Sequence, residues 1–86
     1  MRRLIEEYLN FLAVEKGAAR NTLEGYRRDL NRYAAFVADL QISDLGQIGS
    51  DHLISYLGRL KGEGLAANSV NRALAALRGF YKYLLR

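Results

Sequence analysis

The chain contains no cysteine, no proline and no long uninterrupted apolar run. Without cysteine it can build neither a disulfide framework nor a thiolate metal site, a usage expected of a cytoplasmic protein. Charged residues break the apolar segments every few positions, so nothing approaches the ~20 residues that a membrane span requires. The opening MRRLIEEYL follows two arginines with two glutamates and lacks the apolar core of a signal peptide, so it reads as mature structure. Acid is also missing from one region. Residues 1–63 hold nine basic and nine acidic residues, whereas residues 64–86 hold Arg72, Arg78, Lys82 and Arg86 and no acid. The whole net charge of +4 therefore sits in the last segment, a one-sided distribution that suits a polyanionic partner as well as a solvated helix face. At 86 residues the chain is one domain or a piece of a larger protein. A chain of this size buries only about 60–65% of its unfolded surface.

No run alternates with the period of two that a strand needs, and apolar residues instead recur three and four apart. Leu4, Ile5, Tyr8, Leu9 and Leu12 mark a helix over about 2–16, closed near Gly17. Leu23, Tyr26, Leu30, Tyr33, Phe36 and Val37 mark a second over about 21–40. Leu53, Ile54, Leu57 and Leu60 mark a third over about 50–62, and Val70, Leu74, Leu77, Tyr81 and Leu84 a fourth over about 68–86. The segment 41–49 is the one long loop, with Ile42, Leu45 and Ile48 placed to plug it onto the core. This pattern predicts an all-α, four-helix bundle around a single core, without an internal linker. A helix-turn-helix fits poorly, because that motif joins two helices by a turn of three or four residues and this loop is longer.

Two stretches look alike. GAARNTL begins at Gly17 and GLAANSV begins 47 residues later at Gly64, each ahead of a strongly helical segment. The segments diverge beyond these seven residues, so convergence on one local task explains them better than duplication. Asn21 and Asn68 are suitable N-caps, and Glu24 stands three places after Asn21 as in a capping box. Thr22 and Ser69 would then occupy the first helical positions. Such starts serve as caps alone, or as seats for phosphate, since the first N–H groups of a helix lack internal partners. At 100° per residue, Asn21, Gly25, Arg28 and Arg32 form one row opposite the apolar stripe of the second helix. Asn68, Arg72, Ala75 and Gly79 form the equivalent row on the fourth, with Arg78 and Lys82 beside it. A glycine inside an exposed helix costs ~0.5–1 kcal/mol relative to alanine. Gly25 and Gly79 therefore invite close approach, either of another surface or of a neighbouring helix.

An active site needs a nucleophile with a base, paired carboxylates or a metal cluster, and the sequence suggests none. The one histidine, His52, sits beside Asp51 in the expected first turn of the third helix and reads as a surface residue. No phosphate loop or HExxH motif occurs. The chain is thus expected not to be an enzyme by itself and to need no cofactor, metal or small-molecule substrate.

The residues Glu15-Lys16-Gly17, Asn21-Thr22-Leu23, Tyr26-Arg27-Arg28-Asp29-Leu30 and Phe36 carry a resemblance in the first half. It continues through Leu53, Tyr56-Leu57, Gly64-Leu65, Asn71-Arg72, Leu74 and the run AALRGFYKYL. Together they resemble the N-terminal core-binding domain of tyrosine recombinases and phage-type integrases, a four-helix SAM-like module typified by the Xer recombinases. The resemblance covers essentially the whole chain. It implies one jaw of a clamp around a recombination site, with the second and fourth helices on the major groove and the chemistry in a catalytic domain absent from this chain. It implies DNA contacts by Asn21, Thr22, Gly25, Arg28, Asn68, Ser69 and Arg72, with Arg20, Arg32, Arg78 and Lys82 as further phosphate contacts. Double-stranded DNA, the parent's own catalytic domain and neighbouring protomers would be its partners, in the cytoplasm. Substituting Arg28 or Arg72 is expected to weaken DNA binding while helical content stays intact. Tyr26 belongs to the edge of the apolar stripe and not to catalysis. One departure stands out: where the family often has serine three residues before the helix-start hydroxyl, this chain has Ala19 and Ala66. The competing expectation is a helical protein-interaction module, with Ala75 and Gly79 seating an acidic partner or a neighbouring protomer. Ending at YKYLLR, the sequence reads as an excised domain.

Overall fold

The three-and-four spacing of apolar residues produces four α-helices in the computed structural model, which describes residues 1–86. They are α1 (Arg2–Glu15), α2 (Arg20–Asp39), α3 (Ser50–Gly62) and α4 (Ala67–Leu84). The long loop adds one feature that the periodicity does not reveal, a single 3-10 turn over Leu45–Gln47. There the Asp44 carboxylate accepts a hydrogen bond from the Gly46 N–H at 2.9 Å. Ile42 and Ile48 pack against the core on either side of that turn, as expected of plugs, whereas Leu45 within the turn does not join them.

The core draws on every helix. Ile5, Tyr8 and Leu9 of α1 meet Leu30, Tyr33, Phe36 and Val37 of α2, with Val70, Ala73, Ala76, Leu77 and Phe80 of α4. Helix α3 adds Tyr56 and Leu60. The Tyr56 ring lies 5.1 Å from Tyr33 and 5.0 Å from Phe36, centroid to centroid, so aromatic contacts hold α3 onto α2. Tyr26 is half-buried against this core, and the other tyrosines are buried or half-buried, as the stripe predicts.

Two contacts fix how α2 and α4 run. The Gly25 backbone meets the Arg72 side chain, and the Tyr33 and Tyr81 hydroxyls lie 2.7 Å apart. Both partners advance together along their helices, so α2 and α4 lie side by side in the same sense with their N-termini at one end. The offset of the first pair equals the spacing of the two similar heptapeptides. The sequence likeness is thus also a spatial alignment.

The connections into α2 and α4 are built alike. Each preceding helix ends at a cap residue, Lys16 or Glu63, followed by a glycine in the left-handed region: Gly17 at φ 62° and Gly64 at φ 82°. At the second, Leu65 N–H reaches Leu60 O at 3.3 Å and Gly64 N–H reaches Lys61 O at 3.1 Å, the paired bonds of a glycine-terminated helix. After one further residue the chain passes through an extended alanine, Ala19 (φ −68°, ψ 150°) or Ala66 (φ −63°, ψ 154°), and enters the helix.

This geometry corrects the expected caps. The N-cap residues are Ala19 and Ala66, not Asn21 and Asn68, and neither helix has a side-chain cap. The asparagines stand at the second helical position and Thr22 and Ser69 at the third. Glu24 forms no capping box; it lies 3.4 Å from Arg20 instead. The reason is the glycine turn: it delivers the chain to helical geometry two residues earlier than cap propensity suggests.

Candidate nucleic-acid interface

Absent caps leave the helix starts open. The first bond of α2 is Leu23 N–H to Ala19 O at 3.0 Å, and that of α4 is Val70 N–H to Ala66 O at 3.0 Å. Ahead of these, the N–H groups of Arg20, Asn21 and Thr22, and of Ala67, Asn68 and Ser69, find no acceptor in the chain. Partial positive charge concentrates at such ends. Here two of them stand at one end of a parallel helix pair. The side chains of Asn21, Thr22 and Asn68 are exposed and that of Ser69 half-buried, so a carboxamide and a hydroxyl accompany each set of N–H donors.

Behind the starts, the cations divide into three kinds. Arg28 and Arg32 are exposed, one turn apart on α2, and neither has an acidic partner. Arg20 is exposed but leans on Glu24. Arg72 is held: its Nε donates to Asp29 Oδ2 at 2.8 Å and its Nη2 to Asp29 Oδ1 at 3.0 Å. Asp29 is only 5% exposed. Its hydrogen bonds push the Arg72 guanidinium, already a strong base, still higher.

Gly25 belongs to the same assembly. It is buried, and a β-carbon added there would sit 3.6 Å from Cδ and Nε of Arg72. Its row therefore does not present bare backbone to solvent; Arg72 lies across it. Gly79 is likewise filled from within, since a β-carbon there would collide with the Tyr8 hydroxyl. Of the two readings that the sequence left open for these glycines, close approach within the domain is the one found: Arg72 of α4 meets Gly25, and Tyr8 of α1 meets Gly79.

The remaining two cations lie further along α4, beside the row of Asn68 and Arg72, and border different grooves. Arg78 borders a groove with Leu53 and Leu57 of α3, whereas Lys82 borders one with Phe11 and Lys16 of α1. The structure thus gathers Asn21, Thr22, Gly25, Asn68, Ser69 and Arg72 around one end of the α2–α4 pair, with Arg28 and Arg32 further along α2. Arg78 and Lys82 stand one turn apart on α4, nearer its C-terminal end. His52 has a structural task instead: its Nδ1 accepts a hydrogen bond from the Gly49 N–H at 3.0 Å at the start of α3.

Asp29 is the member of this site that the sequence reading passed over. Its signal was present. A carboxylate three residues after Tyr26 and four before Tyr33 falls inside the apolar stripe, and buried acids are almost always paired.

Comparison with known proteins agrees with this architecture. Residues 5–86 match the family described as phage integrase, N-terminal SAM-like domain. The whole chain also aligns with the tyrosine recombinase XerD of Staphylococcus epidermidis at 38% identity. It aligns with those of Staphylococcus haemolyticus and Staphylococcus aureus at 36%. No solved structure gives a significant match. The chain belongs to the N-terminal SAM-like domains of the phage integrase family, and its relatives are tyrosine recombinases. It covers all 86 of its own residues in these alignments but only 29% of the relatives' length. No helix is long and apolar enough to cross a membrane.

Proposed function

We propose that this domain is a DNA-binding module of a site-specific tyrosine recombinase, a single unit that clamps one face of the recombination site through α2 and α4. The observation that carries the reading is the pair of uncapped helix starts at one end of parallel helices, backed by the unpaired Arg28 and Arg32. Unsatisfied N–H groups, hydroxyls and carboxamides at a helix start suit phosphate oxygens, and isolated guanidinium groups along the helix extend the contact. Asn21, Thr22, Asn68 and Ser69 hold the backbone at the two starts; Arg28 and Arg32, with Arg20, hold neighbouring phosphates. Arg72, seated on Gly25, offers the DNA the donors that Asp29 leaves free. Strand cleavage and rejoining belong to a separate catalytic domain of the parent protein, which acts on chromosomal or mobile DNA in the cytoplasm with neighbouring protomers.

Arg72 is a poor probe of this function, contrary to the expectation from sequence, because removing it strands a buried carboxylate. Arg28 and Arg32 are clean probes. Fluorescence anisotropy with a labelled duplex should show affinity falling steeply with salt, with a logarithmic slope of about −0.9 per neutralised phosphate. Arg28→Ala and Arg32→Ala should each flatten that slope by about one while melting like the parent. Salt-independent binding, or none at low ionic strength, would overturn the reading.

A further inference from the structure

We infer that Asp29 is a positioning residue for base readout, holding Arg72 so that the free edge of its guanidinium meets a guanine in the major groove. The inference rests on the DNA-binding reading above and adds to it a residue and a base preference.

The donors can be counted. A guanidinium carries five N–H groups in a fixed planar fork. Asp29 takes Nε–H and one Nη2–H, at 2.8 and 3.0 Å. Both hydrogens of Nη1 and the second of Nη2 remain, and no other acceptor in the chain engages them. They form a second two-donor edge directed away from Asp29. The Arg72 side chain is 43% exposed against 5% for Asp29, so one edge is buried with the acid and the other is open. Gly25 supplies the floor, touching Cδ, Nε and Cζ of Arg72 within 3.6–3.8 Å of where a β-carbon would stand. Gly25 and Arg72 are each the sixth residue of their helices, at the end where both uncapped starts lie.

Charge separates this arginine from its neighbours. Its positive charge is answered by a buried carboxylate, which weakens its attraction for a phosphate without removing its directional donors. Arg28 and Arg32 keep their full charge, and phosphates suit them better. A neutralised, pre-ordered fork suits a neutral pair of acceptors. Guanine O6 and N7 are the pair that the major groove offers to arginine. Ordering before binding also spares the rotamer entropy that a free arginine loses on contact.

The test selects duplexes from a library randomised at its centre by capture on the domain, then measures salt dependence on the enriched sequences. The parent should favour guanine at one position by roughly tenfold. Asp29→Asn should reduce that preference to about twofold or less and leave the salt slope no flatter, because no phosphate contact is lost. Melting curves establish that the variant is folded. A second measurement needs no variant: 7-deazaguanine at the enriched position removes the N7 acceptor and should weaken binding of the parent by roughly tenfold. An unaltered guanine preference in Asp29→Asn, full affinity for the 7-deaza duplex, or a salt slope flattened by about one in Asp29→Asn each overturns the inference. Duplex binding without any base preference overturns this inference alone, whereas no duplex binding at low salt overturns the DNA-binding reading with it.

Discussion

Gly79 faces the hydroxyl of Tyr8 with no room for a β-carbon between them. Tyr8 is buried, its ring 5.8 Å from Phe80 and 5.3 Å from Tyr83. Gly79→Ala should gain ~1 kcal/mol of helix propensity but lose more to overpacking, for a net loss of about 1–2 kcal/mol. In a Tyr8→Phe background the nearest ring carbon stands 3.4 Å away, and most of that loss should disappear. Urea denaturation of the two single variants and the double variant measures the coupling directly.

Gly25→Ala should behave in the opposite way. Its β-carbon would rest on Arg72 at an ordinary contact distance of 3.6 Å. The exchange should leave the fold intact and raise stability by about 0.5–1 kcal/mol in a thermal melt. A marked loss would show that Arg72 cannot share its seat.

Removing Arg72 leaves Asp29 buried and charged without a partner. Breaking a fully buried pair costs about 3–5 kcal/mol; with the Arg72 side chain 43% exposed, solvent reaches the site and about 2 kcal/mol is expected. Arg72→Ala should therefore shift the urea midpoint strongly, and Asp29→Ala in the same chain should recover most of the shift. Arg28→Ala, which breaks no pair, should move the midpoint little.

The uncapped starts are weak points for stability. Ala19→Ser or Ala66→Ser places a hydroxyl oxygen at an N-cap in extended geometry, where it can accept from the second or third helical N–H. Each should stabilise the free domain by about 1 kcal/mol in calorimetry. No gain at either position would mean that the two alanines do not serve as N-caps.

Alkali should unfold the domain through its core. Burial pushes the Tyr56 hydroxyl up to about 12 and raises those of Tyr33, Tyr81 and Tyr8 as well. These groups stay protonated in the fold above the pH near 10 at which they ionise in the unfolded chain. Their contribution to stability is therefore complete below about 10 and falls as pH rises above it, the part due to Tyr56 being lost through about 12. Absorbance of tyrosinate and helical circular dichroism should change together over that range. Tyr56→Phe removes a buried hydroxyl that has no hydrogen-bond partner, so it should be neutral or stabilising at pH 7 and should lessen the alkaline loss.

The four helices were legible because the apolar spacing is unbroken by proline and each boundary carries a glycine or a polar cluster. Details that depend on the backbone were less so. Cap propensity pointed to Asn21 and Asn68, but the left-handed Gly17 and Gly64 bring the chain into the helix at Arg20 and Ala67. The wheel put Gly25 and Gly79 on open faces, because a wheel of one helix knows nothing of a long side chain arriving from another. Arg72 reaches Gly25 and Asp29 across 47 and 43 residues of sequence, and only tertiary structure reveals that. Spacing did bring the two helix starts to notice, and their parallel alignment gave that likeness its meaning.

The most direct measurement is chemical-shift mapping of the 15N-labelled domain with a short duplex. The largest perturbations are expected at the amides of Arg20, Asn21 and Thr22 and of Ala67, Asn68 and Ser69, with smaller ones at Arg28, Arg32 and the Arg72 side chain. Perturbations confined to α1 or α3, with both helix starts silent, would contradict the proposed interface.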